Sequence, residues 1–284
     1  MGKSPNTIDT YRILLSDFVR FANSIGATRP GEISEEHIVA YIIHKRKTCG
    51  GVAVATYYNH VRAWFNWMAS PERRIIDRSP FATLKTPSIP KTIIKPLTAE
   101  QIQQMLECCP DYFLGVRDKT IVLLFYDSGL RRSEAVNIKL DDVDIKNGII
   151  KVMGKGAKER RVAIGEETRR ALTMYLLRRT DSQPWLFVTR DRAKDPEKMS
   201  PRAIYLVVKR LMQRAGITGV KLGPHTLRHS FATASIRNGA NLFYVQSLLG
   251  HSTLNMTRRY AATVDSEEAI KNHKNFSPAD RLRK

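Results

Sequence analysis

Hydrophobic side chains recur at helical spacing through roughly the first 80 residues. The first set follows a start signal at Ser4-Pro5 and comprises Ile8, Tyr11, Leu15, Phe18 and Ala22. A second set contains Ile38, Tyr41 and Ile42, and a third runs from Val54 to Met68. The pattern predicts an all-helical first domain over residues 1–84.

Residues 85–96, with the sequence KTPSIPKTIIKP, interrupt this periodicity. Each of the three prolines removes a backbone donor, so the stretch cannot continue a helix. It predicts a linker between two domains. Thr98 and Gln101 then have the spacing of a capping box, which opens a new helix. We therefore expect a second domain over residues 97–284.

The second domain is predicted to be mainly helical, with one small β-sheet or hairpin. Two β-prone runs, Ile149 to Met153 and Arg160 to Ile164, flank the segment GKGAKE, a pattern typical of a hairpin with a basic tip. Helix signals surround it. Prolines that the first helical turn tolerates predict helix starts at Ser200-Pro201 and Gly223-Pro224, and Gly250 predicts a helix end.

The charge of the chain favours a polyanionic partner. Lys and Arg number 47 against 27 Asp and Glu, which gives a formal net charge of +20 among 284 residues. Nucleic acid is favoured over a membrane surface, because the sequence has no apolar run near 18 residues and no signal-peptide pattern. We expect a nucleic acid as the partner, no membrane and a cytoplasmic location.

The three cysteines, Cys49, Cys108 and Cys109, form neither a disulfide framework nor a zinc-binding pattern. They are typical of a reducing cytosol. The histidines come without a cluster of carboxylates or thiolates, so we expect no metal site and no cofactor.

Individually, the polar residues that carry chemistry have ordinary explanations. Arg131 alone would be an ordinary surface arginine, and Lys155 alone a solvated charge at a hairpin tip. His251 alone would be an incidental histidine in a turn, and Tyr260 alone an aromatic residue that packs in the core or at an interface. His225 and Arg228 are more specific, because a spacing of three at the start of a helix puts both on one face near the positive end of its dipole. That arrangement favours a phosphate.

Five blocks together carry a specific resemblance. They are SGLRRSE at 128–134, GKGAKERRV at 154–162, HTLRHSFAT at 225–233, LLGHS at 248–252 and a tyrosine nine residues after His251. In this order and spacing they resemble the tyrosine recombinases, the lambda-integrase family, and within it the Xer recombinases that resolve chromosome dimers. Arg132, where an apolar or small residue is expected, departs from the pattern.

The resemblance implies the fold and the activity. It implies a two-domain C-shaped DNA clamp, with a helical core-binding domain and a catalytic domain that ends in a C-terminal interaction helix. Four protomers would act on double-stranded DNA at two specific recombination sites, cleaving and rejoining strands through a 3′-phosphotyrosyl intermediate and a Holliday junction.

The resemblance also implies a role for each of six residues. Arg131 and Arg228 would bind the scissile phosphate, Tyr260 would be the nucleophile, and Lys155, His225 and His251 would complete the catalytic set. Two guanidiniums can hold both non-bridging oxygens of the phosphate. The division of acid and base roles stays open, with His225 as the candidate base, Lys155 as the candidate acid and His251 as a hydrogen-bond donor.

Three alternatives remain open at this level. An integrase of a virus or mobile element would use the same chemistry, and an added amino-terminal arm-binding domain would distinguish it. A type IB topoisomerase would relax DNA without recombination. A non-catalytic DNA-binding protein on the same scaffold is expected to have lost at least one of the six residues, and all six are filled.

Overall fold

The computed structural model describes residues 5–87, 95–154, 159–190 and 195–250. The chain forms two compact units, Met1–Ile93 and Ile94–Lys284. Part of the predicted linker lies outside the described residues, and the predicted bounds 1–84, 85–96 and 97–284 stay predictions. The predicted fold class is confirmed, since the described chain is mainly helical with one small antiparallel sheet.

The first unit consists of helices α1 (Pro5–Ser24), α2 (Glu35–Arg46) and α3 (Gly51–Met68), with a short 3-10 turn at Pro30–Glu32. Aromatic rings fill its core. Phe18 packs edge-on against Tyr41 and Phe65, with ring centroids 5.0 and 5.7 Å away. Such pairs add about 0.5–1.5 kcal/mol beyond the area that they bury. Ile8 shares the helical spacing but is 47% exposed, so the buried stripe does not reach it.

The second unit contains seven helices among the described residues. They are α4 (Ala99–Glu107), α5 (Phe113–Ser128), α6 (Arg132–Ala135), α7 (Glu166–Leu177), α8 (Pro201–Arg214), α9 (Pro224–Arg237) and α10 (Leu242–Leu249), with a 3-10 turn at Leu140–Asp142. The prolines at 201 and 224 occupy the first turns of α8 and α9, as the sequence predicts. Helix α6 is a single turn that ends at Ala135.

A three-stranded antiparallel sheet lies between α6 and α7 along the chain. Its strands are β1 (Val143–Asp144), β2 (Ile149–Met153) and β3 (Glu159–Ala163), in that order across the sheet. The predicted hairpin is therefore present, with β3 displaced by one residue. Strand β1 was not predicted, because two residues carry no periodicity. Residues 155–158, the predicted basic tip, lie outside the described residues.

Helix α5 runs through the core of the second unit. Four consecutive or near-consecutive side chains on it are fully buried, namely Ile121, Val122, Leu124 and Phe125. Burial of each such side chain contributes about 1.5–3 kcal/mol. Because α5 is apolar on several faces, α7 and α9 both pack against it. This packing fixes the end of α5 next to the start of α9.

Gly129 ends α5 and allows two other helices to approach. Its φ of +60° is left-handed, a conformation that side chains other than glycine rarely adopt. A Cβ at this position would overlap the side chains of Phe231 on α9 and Leu249 on α10. The ends of α5 and α10 and the body of α9 therefore meet at one point. None of the described helices is long and apolar enough to cross a membrane.

Candidate active site

Three arginines from other parts of the chain donate hydrogen bonds to the C-terminal end of α10. Gly250 ends this helix with a φ of +62°, as the sequence predicts. The last carbonyl groups of a helix have no partner within it, so they need donors from elsewhere. Three successive carbonyls each accept a guanidinium hydrogen bond: Leu248 from Arg160 Nε (3.1 Å), Leu249 from Arg228 Nη2 (2.8 Å) and Gly250 from Arg131 Nη2 (2.9 Å).

Arg131 is held from a second side by Glu134. As the N-cap of α6, Arg131 donates its backbone N–H to Glu134 Oε2 at 2.8 Å and its Nη1 to Oε1 at 2.9 Å. The same carboxylate accepts Nη1 and Nη2 of Arg160 at 2.6 and 2.8 Å. The Glu134 side chain is 3% exposed. One buried carboxylate therefore lies between two guanidiniums.

These donors set the charge state of Glu134. Burial by itself would raise the pKa of the carboxyl group. The hydrogen bonds from Arg160 and Arg131 outweigh burial, and they lower the pKa from its ordinary value of 4.5. Glu134 is therefore ionised at neutral pH, and it holds both arginines as ion pairs.

Arg228 is buried in the second turn of α9. It is 4% exposed, and it donates Nη1 to the carbonyl of Gly129 as well as Nη2 to that of Leu249. These bonds connect the ends of α5 and α10 through one side chain. Carbonyl oxygens are neutral, so these two bonds orient the guanidinium without cancelling its charge.

His225 lies one turn before Arg228 on the same face of α9, and its side chain is exposed. Partial desolvation by the surrounding protein is the largest influence on its pKa. Charge repulsion from Arg228, Arg132, Lys221 and Arg131 acts in the same direction, so the pKa lies below its ordinary value of 6.5. The ring is therefore neutral at pH 7 and able to accept a proton.

Arg132, the departure from the family pattern, lies beside the start of α9. Its guanidinium carbon is 5.8 Å from the centre of the Tyr205 ring. That ring packs on the backbone of Gly223, where an added Cβ would approach Tyr205 Cε2 to 2.9 Å. Arg132 thus adds a further positive charge near His225.

The structure describes three of the six predicted site residues. It brings Arg131 and Arg228 to adjacent carbonyls, and His225 is one turn away on α9. Lys155, His251 and Tyr260 lie outside the described residues. Lys155 directly follows the loop residue Gly154 after β2, and His251 directly follows Gly250 in the sequence.

Two residues of this cluster were not singled out from the sequence. Glu134 follows Arg131 by three residues, a capping-box spacing that signals a side chain turned back on the helix start. Arg160 lies two residues before Val162 on β3, and Val162 is buried. Arg161 between them is exposed. The period of two along a strand therefore indicates that Arg160 points inward.

No metal-ligand cluster is found within the described ranges, where no three His, Cys, Asp or Glu side chains come together. The three cysteines are free and partly buried. The described cluster is dominated by guanidiniums, which are suited to an anionic group such as a phosphodiester.

Residues 95–267, more than half of the chain, match the phage integrase family. The chain belongs to this family of tyrosine recombinases. It is 35% identical to the tyrosine recombinase XerA of Pyrococcus furiosus over 260 residues, which cover 91% of this chain and 84% of that protein. It is 33% identical to the tyrosine recombinase XerC of Myxococcus xanthus over 272 residues, covering 91% and 87%.

A solved structure has the same fold. The XerH site-specific recombinase bound to palindromic difH substrate superimposes with a TM-score of 0.76 at 22% identity, covering 96% of this chain and 80% of that one. The family match and the similarity to XerA and XerC confirm the resemblance to the tyrosine recombinases. The chain is a site-specific tyrosine recombinase, an enzyme that cleaves and rejoins DNA.

In this recombinase, Glu134→Gln tests the ion pairs within the arginine cluster. The substitution keeps the shape of the side chain but removes its charge, so we expect a loss of about 1–3 kcal/mol in the free energy of unfolding at pH 7. The pKa of Glu134 is lowered on folding. Its stabilisation is therefore complete above pH 4.5 and is lost as the pH falls through the lowered pKa.

Urea unfolding at a series of pH values measures this difference. Glu167→Gln is the matched control, because Glu167 is 76% exposed and pairs with Arg170 on the surface of α7. We expect a change below about 0.5 kcal/mol for the control. Equal losses in the two variants would contradict the role given to Glu134.

Arg132→Ala tests the electrostatics around His225. We expect the pKa of His225 in the DNA-free protein to lie below 6.5 and to rise in Arg132→Ala, because one of its cationic neighbours is removed. NMR titration of the histidine rings measures both values, with His225→Gln to assign the signal. Arg170→Ala, on the surface of α7, should leave the pKa unchanged. A pKa insensitive to Arg132 would refute the assignment.

Proposed function

We propose that this recombinase cleaves DNA through a 3′-phosphotyrosyl bond made by Tyr260, with the scissile phosphate held by Arg131 and Arg228. The observation that carries this proposal is the pair of bonds from these arginines to the adjacent carbonyls of Gly250 and Leu249. These bonds orient two guanidiniums side by side at the end of one helix. Such a pair can bind two oxygens of one phosphate.

The charge of this pair lowers the barrier of the reaction. A phosphodiester anion repels a nucleophile, and its equatorial oxygens gain further charge as the phenolic oxygen attacks. Guanidiniums oriented before the reaction stabilise that charge without having to reorganise. Removal of either one should cost about 3–4 kcal/mol of transition-state stabilisation, by comparison with single-donor deletions in other enzymes. Binding of DNA would largely remain.

Proton transfers accompany both bond changes. The Tyr260 oxygen forms the new bond to phosphorus, and its proton passes to His225, whose lowered pKa keeps the ring neutral and ready to accept it. The bond to the 5′-oxygen breaks, and Lys155 donates a proton to that oxygen. His251 donates a hydrogen bond to the phosphate. This metal-free phosphoryl transfer is of the type IB kind.

The covalent intermediate allows strand exchange without an external energy source. It stores the phosphodiester energy until a 5′-hydroxyl of another duplex attacks the phosphotyrosine and releases Tyr260. In our proposal a homotetramer on two DNA sites performs this exchange in two steps through a Holliday junction. Its biological role is the resolution of chromosome dimers in the cytoplasm. The similarity to XerA and XerC supports that role over integration of a mobile element.

Tyr260→Phe tests the nucleophile. Wild type incubated with suicide duplexes, nicked near candidate recombination sites, should form a covalent protein–DNA adduct at the 3′-phosphate in the presence of EDTA. Tyr260→Phe should form none, because it lacks the attacking oxygen, and it should still bind DNA. Denaturing gels measure the adduct. Tyr244→Phe is the matched control, since Tyr244 is 71% exposed on α10 and should leave adduct formation unchanged.

Two results would contradict the proposal. An adduct that persists in Tyr260→Phe would show that another residue is the nucleophile. An adduct that is abolished by EDTA in the wild type would show that the cleavage needs a metal ion.

A further inference from the structure

Arg160 has no part in the proposed reaction, yet it makes three hydrogen bonds within the arginine cluster. Its Nη1 and Nη2 bind Glu134, and its Nε binds the Leu248 carbonyl at 3.1 Å. The side chain is 15% exposed. We propose that Arg160 is a positioning residue for DNA cleavage, acting through Glu134 to keep the guanidinium of Arg131 available to the phosphate. This inference rests on the proposed function of Arg131.

Arg131 and Arg160 both donate hydrogen bonds to the carboxylate of Glu134. Oε1 accepts from Nη1 of both Arg160 and Arg131, and Oε2 accepts from Nη2 of Arg160 and the backbone N–H of Arg131. Without Arg160, two of these four bonds are lost in a site where the carboxylate is 3% exposed. A buried carboxylate needs donors. The Arg131 guanidinium, which already donates Nη1 to Oε1, would turn further toward Glu134 and away from the phosphate.

Arg160 is itself held in place by the last turn of α10. Its Cδ and Nε lie 3.3 Å from the position that a Cβ on Gly250 would take, so the side chain lies directly against the last turn of α10. The Leu248 carbonyl fixes Nε while the two Nη groups face Glu134. Only a planar guanidinium offers donors in three directions of one plane, so a lysine cannot replace it.

The neighbouring residue Arg161 provides a matched control. It lies on the same strand with the same charge, but its side chain is exposed on the opposite face from Val162 and Arg160. Arg160→Lys and Arg161→Lys therefore make the same chemical change at adjacent positions. Both keep the net charge of the chain, so neither should alter the electrostatic part of DNA binding by much.

The experiment measures single-turnover cleavage of a suicide duplex at saturating protein, together with the DNA dissociation constant, for wild type, Arg160→Lys, Glu134→Gln, the double variant and Arg161→Lys. We expect Arg160→Lys to slow cleavage about 10- to 100-fold, by comparison with the loss of residues that orient the ligands of metal sites. Its dissociation constant should stay within about 3-fold of wild type, and Arg161→Lys should cleave like wild type.

The background of Glu134→Gln decides between positioning and general structural support. A neutral amide does not draw Arg131 away, so Arg160→Lys should change the cleavage rate by less than about 3-fold in that background. Equal slowing in both backgrounds would overturn the inference, as would an Arg160→Lys variant that cleaves like wild type. Thermal melting confirms that each variant is folded, and Arg160→Gln replaces Arg160→Lys if the latter is unfolded at the assay temperature.

Failure of the proposed function would be recognised separately. If wild type forms an adduct but Arg131→Ala cleaves as fast, the role of Arg131 is wrong and the inference falls with it. If Arg131→Ala cleaves slowly while Arg160→Lys does not, the proposed function stands and only the inference is overturned.

Discussion

The hydrogen bonds between three arginines and the last carbonyls of α10 are the interaction on which the site depends. A helix that ends inside a protein leaves carbonyl groups in need of donors, and a buried arginine needs acceptors. Here the guanidiniums supply the donors, and the carbonyl groups at the end of α10 supply the acceptors. Arg131 precedes α6, whereas Arg160 lies on β3 and Arg228 on α9, so the end of one helix fixes the relative position of three distant parts of the chain.

This arrangement also explains how positive charge is held close together without being neutralised. Arg131 and Arg160 share the single carboxylate of Glu134, and the other acceptors described above are neutral carbonyl oxygens. Among the described residues, three guanidiniums and one carboxylate therefore give this cluster an excess of positive charge, which suits a phosphate. Gly129 and Gly250 make it possible, because both adopt the left-handed conformation that ends a helix sharply. At Gly129 a side chain would also collide with Phe231 and Leu249.

Local signals in the sequence predict where several helices begin and end. Proline fixes φ at 201 and 224, and glycine at 250 tolerates a left-handed backbone, so the starts of α8 and α9 and the end of α10 follow from single residues. The pairing of Arg160 with Glu134, 26 residues apart, and with Leu248, 88 residues apart, does not follow from them. Such contacts depend on tertiary packing, which periodicity does not encode. The five motif blocks nevertheless contain all three residues.

A crystal structure of Tyr260→Phe bound to a nicked duplex would test the central claim most directly. We expect the guanidiniums of Arg131 and Arg228 to contact the two non-bridging oxygens of the scissile phosphate while they still donate to the carbonyls of Gly250 and Leu249. A complex in which either arginine leaves its carbonyl to reach the phosphate, or in which the phosphate lies elsewhere, would contradict the view that the end of α10 prepares this site before DNA arrives.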